Sequence, residues 1–146
     1  MLTVNDLMTI VPNTVTPETP LRTVLGLMKT GGYRQIPVLD KGRLVGIISD
    51  RDVRLVINSP LILHERAQDE KLLDSVSVES CMTTDPISVT PDTPAYRAAE
   101  ILSIYKFGAL PVVEEDTLVG IITVTDYLNF FSKNLVVIGK VDKEIE

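Results

Sequence analysis

The chain has 146 residues, of which 45% are hydrophobic, so it carries enough apolar material for a folded core and is not expected to be disordered. Its 20 acidic and 14 basic side chains give a net charge of −6, which argues against binding to a nucleic-acid backbone, because such binding depends on clustered Lys and Arg. The single cysteine, Cys81, excludes an internal disulfide. Together with the single histidine, His64, it leaves too few ligands for a zinc site.

The first predicted elements are a helical turn near Asp6, an extended piece at 14–16 and a longer amphipathic helix. Apolar residues at helical spacing beyond position 20 indicate this helix. Thr19 is its expected N-cap, Pro20 suits its first turn, and Gly31-Gly32 is expected to end it.

A β-hairpin and a second helix complete the unit. The apolar runs at 36–39 and 44–49 are separated by turn residues at 40–42, which is a hairpin pattern, and a helix is expected over 52–57. The stretch that follows, at 58–76, is rich in charged residues and predicts a solvated helix or loop.

The second half of the chain repeats the first half at a constant offset of 74 residues, since Met82-Thr83 stands 82 − 8 = 74 places after Met8-Thr9. LVGII occurs at 44–48 and again at 118–122, and VTPETP in the first copy corresponds to VTPDTP in the second. An ungapped match of this kind indicates an internal duplication. One copy of roughly 55 residues buries its apolar faces poorly alone, so the two are expected to pack with pseudo-twofold symmetry.

The sequence thus predicts an α+β fold made of two repeats, each in the order strand, helix, strand, strand, helix. The predicted boundaries are residues 1–57 for the first repeat, 58–76 for the linker, 77–132 for the second repeat and 133–146 for a C-terminal segment. Within that segment, residues 135–138 are expected to add a strand, because they are apolar and mostly β-branched.

The repeated motifs resemble those of a known family. The order V-T-P-x-T-P, then h-P-V-h, then G-h-h-[ST]-x-x-D, where h is apolar, occurs twice and resembles the tandem cystathionine-β-synthase (CBS) domain pair, also called the Bateman module. The resemblance covers about residues 3–131. It implies two clefts between the repeats in which such modules bind adenosine compounds, and a flat homodimer formed through the helices.

The resemblance also implies roles for particular residues. The last residue of G-h-h-[ST]-x-x-D takes the ribose hydroxyls in the family, which implies this role for Asp52 and Asp126. The hydroxyl residue of the motif lies near the phosphates, which implies that role for Ser49 and Thr123. The residues implied to enclose the adenine are Asn13, Thr14, Gln35, Ile36, Pro37, Ile87, Ser88, Ala109, Leu110 and Pro111. Family pockets usually combine the aspartate of one repeat with the adenine-enclosing segments of the other.

The two copies differ close to the motif. Arg34 and Arg51 of the first copy stand where the second copy has Gly108 and Thr125. Both arginines are candidates for charge-assisted hydrogen bonds to a phosphate, whereas the second copy offers the hydroxyls of Thr123 and Thr125 and the ammonium group of Lys106. The sequence therefore predicts two clefts of different affinity or preference.

The S-x-x-D segments also have a purely structural interpretation. A Ser or Thr at an N-cap followed by an acidic residue at N3 forms a capping box, and an Asp near a helix N-terminus interacts favourably with the helix dipole. The two interpretations are compatible, because a helix start also offers free N–H groups to a phosphate. Gly46 and Gly120 are interpreted as strand glycines that allow a close backbone approach.

The leading hypothesis is a regulatory module that binds an adenine nucleotide (AMP, ADP or ATP) as an energy or metabolite sensor, requires no cofactor and acts on an unknown regulated protein. The sequence shows no nucleophile–base pair and no set of metal ligands of the kind that enzymes use, so an enzyme is not expected. Two alternatives stay open: a ligand-free dimerisation module, and a pocket that takes S-adenosylmethionine or a dinucleotide. No apolar run approaches the roughly 20 residues of a membrane span and no signal-peptide pattern is present, so a cytoplasmic protein without a membrane partner is expected.

Overall fold

The computed structural model describes residues 1–10, 13–57 and 66–145. Its helices and strands are, in chain order, α1 Val4–Leu7, α2 Leu21–Gly31, β1 Gln35–Asp40, β2 Arg43–Ser49, α3 Asp50–Ile57, α4 Arg66–Ser75, β3 Thr83–Thr84, α5 Ala95–Tyr105, β4 Ala109–Glu114, β5 Thr117–Thr123 and α6 Val124–Ile145. This mixture confirms the predicted α+β class. Both repeats contain the predicted helix, hairpin and second helix, while the predicted first strands are reduced to single bridges.

The elements form two compact units whose boundaries do not follow the repeats in the sequence. The Asp52 unit comprises Val11–Ile87 and Glu115–Leu118, and the Asp126 unit comprises Met1–Ile10, Ser88–Glu114 and Val119–Glu146. Residues 1–10 of the first repeat thus lie in one unit with α5 and α6 of the second repeat. Likewise, residues 77–87 of the second repeat lie in one unit with α2, α3 and the β1–β2 hairpin of the first.

The Asp52 unit contains an antiparallel sheet in the order β1-β2-β3. Gln35 pairs with Ser49 across β1 and β2, so the start of the first strand lies beside the end of the second. The extended piece predicted at 14–16 forms only a single parallel bridge, between Val15 and Val38. The sheet therefore brings the segment before α2 and the end of β2 into one unit.

Both hairpins turn through two residues with positive φ. Lys41 and Gly42 have φ of 51° and 82° between β1 and β2, and Glu115 and Asp116 have φ of 49° and 64° between β4 and β5. Positive φ at both central residues is the turn geometry that matches the twist of a two-residue hairpin. The predicted hairpins are confirmed.

Helix α2 buries one face in the core of the Asp52 unit. Leu21, Val24 and Met28 are buried there, at the helical spacing that the sequence predicts. Gly32 ends the helix in the left-handed conformation, with φ of 71°, and its N–H donates to the Met28 carbonyl. Glycine adopts this conformation without steric cost, so the predicted end of the helix is confirmed.

The predicted N-cap of α2 is wrong by one residue. Pro20 occupies the N-cap position, while the hydroxyl of Thr19 accepts a hydrogen bond from the Thr16 N–H at 3.0 Å. Threonine hydroxyls readily form hydrogen bonds with nearby backbone groups. Here the Thr19 hydroxyl bonds to the turn that precedes the helix and therefore does not cap the helix.

The Asp126 unit contains α1, α5, α6, strand β4 and the part of β5 that begins at Val119. Its core is apolar and combines side chains from all of these elements. Buried members of this core are Val4, Val89, Ala98, Leu102, Leu110, Val112 and Ile122. The N-terminal segment is thus an integral part of this unit, because Val4 of α1 is fully buried in it.

The strand predicted at 135–138 is wrong, because α6 runs without interruption from Val124 to Ile145. A segment that continues an existing helix adds one hydrogen bond per residue without a new nucleation step. That gain outweighs the small helix penalty of β-branched residues, which is a few tenths of a kcal/mol each.

The predicted linker contains a helix, α4, that packs in the Asp52 unit; residues 58–65 of that prediction lie outside the described residues. Arg22 on α2 forms ion pairs at 2.5 Å with Glu70 and with Asp74 of α4. Leu73 of the same helix is buried in the unit's core. In the part of the chain that the structure describes, no helix is both long and apolar enough to cross a membrane.

Candidate functional site

Ser49 and Asp52 form a reciprocal capping box at the start of α3. The Ser49 N–H donates to Asp52 Oδ2 at 2.8 Å, and the Asp52 N–H donates to the Ser49 hydroxyl at 3.1 Å. These bonds satisfy two N–H groups near the helix start and fix the half-buried carboxylate there. The capping interpretation is confirmed, and among the described residues Oδ1 of Asp52 has no hydrogen-bond donor.

Thr123 and Asp126 repeat this arrangement at the start of α6, with the same two distances of 2.8 and 3.1 Å. Here the carboxylate has one more partner, because the Thr9 hydroxyl donates to Asp126 Oδ1 at 3.0 Å. Thr9 is held in place by its backbone: its N–H and carbonyl exchange hydrogen bonds of 2.9 Å with Ile121 of β5. Both oxygens of Asp126 therefore accept hydrogen bonds from the chain itself.

The counterpart of Thr9 in the other repeat is Thr83, since 83 − 74 = 9. Thr83 pairs with Ile47 across β2 and β3, much as Thr9 pairs with Ile121. In the ranges 1–10, 13–57 and 66–145, however, the hydrogen bonds include none from the Thr83 side chain to Asp52. The two motif aspartates thus share their capping geometry and differ in their second oxygen.

The strand glycines of the motif allow a backbone to pass close by. A methyl group added at Gly46 would lie 2.9 Å from the Thr83 carbonyl oxygen, and one at Gly120 would lie 2.9 Å from that of Thr9. Carbon atoms do not approach so closely without displacement of the neighbour. The predicted role of these glycines is therefore confirmed, and each places one of the two threonines beside the motif strand.

Arg34 and Arg51 are exposed, and Arg34 lies beside the start of α3. The Arg34 carbonyl accepts a hydrogen bond from the Asp50 N–H at 2.9 Å, which ties the start of β1 to that helix. Arg34 and Asp50 also line a groove of about 360 Å³, in which Asp50 forms an ion pair of 3.6 Å with Arg54. Positive charge is therefore available close to the N–H groups of α3.

The equivalent position in the Asp126 unit has the same backbone contact and no cation. The Gly108 carbonyl accepts a hydrogen bond from the Val124 N–H at 3.1 Å, as that of Arg34 does in the other unit. Thr125, the counterpart of Arg51, is exposed, and Thr123 is half-buried. The surroundings of the two helix starts differ in charge, as the sequence predicts.

The residues implied to enclose adenine fall into a buried and an accessible group. The side chains of Ile36 and Leu110 are 1% exposed and belong to the cores of their units. Pro37, Ala109 and Pro111 are also buried. These five residues can shape the wall of a pocket, while their side chains have little surface for direct contact.

The accessible group consists of Asn13, Thr14, Gln35, Ile87 and Ser88. Thr14, Ile87 and Ser88 are exposed, and Asn13 and Gln35 are half-buried. The Asn13 amide donates to the Tyr33 hydroxyl at 3.2 Å, which orients it beside the start of β1. Any side-chain contact to a base is therefore expected from this group.

Each unit brings together its own subset of the predicted site residues. The Asp52 unit holds Asn13, Thr14, Arg34, Gln35, Ile36, Pro37, Ser49, Arg51, Asp52 and Ile87. The Asp126 unit holds Ser88, Ala109, Leu110, Pro111, Thr123, Thr125 and Asp126. That a cleft combines segments of both repeats stays a prediction.

Sequence reasoning did not identify Thr9 and Tyr127 as neighbours of a motif aspartate. Cys81 is half-buried and packs against the core of the Asp52 unit, and burial, together with the charge of Asp52, raises the pKa of its thiol, as is typical of an unreactive thiol. Burial likewise raises the pKa of Tyr127 to about 12, and its hydroxyl donates to the Ala95 carbonyl at 2.6 Å. The repeated Met-Thr pair was the available signal for Thr9, although its partner was not apparent.

An apolar groove of about 500 Å³ lies between α1, α5 and α6 of the Asp126 unit. Tyr96, Ile104 and Phe131 border it and are 60%, 72% and 54% exposed. Within the described residues, no three His, Cys, Asp or Glu side chains are grouped closely enough to hold a metal ion.

The duplicated hairpin, the capped aspartate after each second strand and the close-packed glycines define a tandem CBS-domain architecture. A model of the CBS domain matches residues 4–59 and again residues 78–133. The chain belongs to the CBS-domain family and carries two copies of the domain.

Three similar proteins illustrate the range of this family. Protein MJ1225 of Methanocaldococcus jannaschii is 34% identical over 119 residues, which is 80% of this chain but only 42% of MJ1225, and its crystal structure superposes with a TM-score of 0.78. CBSX2 of Arabidopsis thaliana in complex with AMP has 28% identity and a TM-score of 0.77 over 91% of this chain and 98% of its own. The CBS domain pair of MJ0100 in complex with 5′-methylthioadenosine and S-adenosyl-L-methionine has 25% identity and a TM-score of 0.73, covering 88% and 98% of the two chains.

Proposed function

We propose that the protein is a regulatory CBS pair that binds an adenine nucleotide (AMP, ADP or ATP) and acts as an energy or metabolite sensor. One observation carries the proposal. An aspartate is held at a helix start with the same geometry in both units, in a chain similar to CBSX2, whose crystal structure is a complex with AMP. The nucleotide is a regulatory ligand, and no cofactor is required. The cytoplasmic location stays a prediction.

The geometry of Asp52 supports a contact to ribose. Its Oδ2 accepts the Ser49 N–H, and its Oδ1 has no donor in the described part of the chain. A carboxylate oxygen accepts hydrogen bonds from hydroxyl groups, which a backbone N–H cannot do. Asp52 can therefore cap α3 and still accept a ribose hydroxyl, so capping and ligand binding do not exclude each other.

The surroundings of α3 support a contact to phosphate. The start of a helix carries a partial positive charge that favours an anion, and at α3 this charge is the support, because the Asp50 and Asp52 N–H groups already donate to the Arg34 carbonyl and the Ser49 hydroxyl. Arg34 and Arg51 add exposed guanidinium groups to that end of the Asp52 unit, whereas the Asp126 unit has Gly108 and Thr125 at the same positions. The Asp52 half-site is therefore the better candidate for ligands with several phosphates.

S-adenosylmethionine is the second candidate ligand, because the similar CBS pair of MJ0100 is in complex with it. Its adenosine portion makes the same demand on Asp52 or Asp126 as a nucleotide does. Its other end carries a sulfonium and an ammonium group against a single carboxylate, so its net positive charge gains less from a neighbouring arginine than phosphates do. The Asp126 half-site, with Gly108 in place of Arg34, suits this ligand better.

We also propose that the protein forms a homodimer through its helices. Support comes from the apolar groove of the Asp126 unit, where Tyr96, Ile104 and Phe131 expose more than half of their surface. A contiguous exposed apolar patch marks an interaction site in soluble proteins. A second copy of the chain would remove this apolar area from water, which is favourable by roughly 25 cal/mol per Å² buried.

A calorimetric titration panel tests the proposed ligand class. The parent protein is titrated with AMP, ADP, ATP, S-adenosylmethionine, a dinucleotide and adenine base. Tighter binding of the adenine nucleotides than of adenine supports the proposal, and tighter binding of S-adenosylmethionine selects the second candidate. If no adenosine compound binds, the protein is a ligand-free module whose aspartates cap helices.

A further inference from the structure

We infer that the Thr9 hydroxyl competes with ribose for Asp126, so that an adenine nucleotide binds first at Asp52 and more weakly at Asp126. This inference rests on the proposed function. It adds to the difference in arginines a second cause of inequality between the two half-sites, which the motif itself does not reveal.

Hydrogen bonds from the chain itself already use one acceptor position on each carboxylate oxygen of Asp126. Its Oδ2 accepts the Thr123 N–H at 2.8 Å, and its Oδ1 accepts the Thr9 hydroxyl at 3.0 Å. A ribose hydroxyl is chemically the same kind of donor as the threonine hydroxyl. Thr9 therefore gives Asp126 the type of hydrogen bond that a ribose would give it.

The position of Thr9 is set by the backbone. Two hydrogen bonds of 2.9 Å join Thr9 to Ile121, and Gly120 leaves the space that the Met8-Thr9 segment occupies. The hydroxyl is thus presented to Asp126 with little conformational cost. Because Thr9 is exposed, its side chain can rotate into solvent when a ligand takes its place.

The Asp52 half-site contains an equivalent threonine and aspartate but differs from the Asp126 half-site in its hydrogen bonding. Thr83 lies at the equivalent position and pairs with Ile47, yet among the described residues no hydrogen bond joins its side chain to Asp52. Among the described residues, Oδ1 of Asp52 accepts no hydrogen bond, whereas Oδ1 of Asp126 already accepts one from Thr9, with which a ribose hydroxyl would compete. Because Thr9 is exposed, water replaces part of the displaced hydrogen bond, so we expect a difference of about three- to tenfold in affinity, less than for a bond that water does not replace.

Calorimetry with AMP tests the inference through a matched pair of substitutions. Thr9→Val and Thr83→Val each remove one hydroxyl at equivalent positions while keeping the branched shape. The measurement is made in the parent and in an Asp52→Asn background, where the remaining binding reports on Asp126. We expect Thr9→Val to strengthen that remaining binding about three- to tenfold, and Thr83→Val to leave it unchanged.

The ribose itself supplies the control. The 2′,3′-dideoxy analogue of AMP lacks the hydroxyls that would replace Thr9, so its affinity should not respond to Thr9→Val. If AMP binds to the parent but, in the Asp52→Asn background, Thr9→Val leaves the remaining AMP affinity unchanged or lowers it, the inference is wrong and the proposed function stands. If AMP binds to neither the parent nor Thr9→Val, both fail.

Discussion

Replacing Gly120 by Ala tests the packing that positions Thr9 beside β5. The new methyl group would lie 2.8 Å from the Met8 sulfur and 2.9 Å from the Thr9 carbonyl oxygen. The flexible sulfur can move, but the carbonyl cannot retreat without lengthening the hydrogen bonds between Thr9 and Ile121. Overpacking of this kind costs about 1–3 kcal/mol, so we expect the free energy of unfolding to fall by that amount.

Gly26→Ala is the matched control, because it adds the same methyl group where no atom outside its own helix lies within 4 Å. In the exposed interior of α2, alanine should stabilise the protein by up to about 1 kcal/mol relative to glycine. Urea unfolding followed by far-ultraviolet circular dichroism measures the free energy of unfolding of both variants. The comparison requires that this free energy falls with urea concentration at the same rate in both. A Gly120→Ala protein as stable as the Gly26→Ala protein would refute the close approach.

Three further outcomes are expected. The Tyr127 hydroxyl should ionise at about pH 12, because burial raises its pKa on folding. The stability that it contributes is therefore complete below about pH 10 and is lost as the pH rises through 12. Ultraviolet titration of the parent and of Tyr127→Phe checks this ionisation. Replacing Arg34 and Arg51 by Ala should weaken ATP more than AMP and leave adenosine nearly unchanged, whereas a uniform loss in calorimetry would mean that they support the fold. Light scattering should give a dimer mass at micromolar concentration that Ile104→Glu lowers to a monomer, and a monomeric parent would contradict the proposed assembly.

Local patterns in the sequence predict much of the fold because short-range physics determines it. The spacing of Leu21, Val24 and Met28 indicates a buried helix face, and Gly32 ends that helix in a conformation that glycine prefers. The prediction of Thr19 as the N-cap was wrong because its hydroxyl accepts a hydrogen bond from the Thr16 N–H in the preceding turn. Two local patterns competed there, and the sequence alone does not say which is more stable.

Long-range pairing explains what could not be predicted. The hydrogen bond between Thr9 and Asp126 joins residues 117 positions apart, and it exists because the N-terminal segment packs with the second repeat. The repeat in the sequence identifies both aspartates and both threonines but does not indicate which threonine bonds to its aspartate. The C-terminal part of α6 was missed for a different, local reason: the mostly β-branched residues 135–138 continue a helix that the preceding turns have already formed.

The most direct test of the proposed function is the affinity of AMP for the Asp52→Asn and Asp126→Asn variants. Asparagine keeps a cap acceptor, so each variant should lose no more than about 1 kcal/mol of stability, and its melting temperature without ligand should move little. A lost charge-assisted hydrogen bond of roughly 1.5–3 kcal/mol should weaken AMP about ten- to a hundredfold in at least one variant, while adenine base, which has no ribose, is affected less. If both variants bind AMP as the parent does, the repeated aspartates only cap helices and the sensor proposal is wrong.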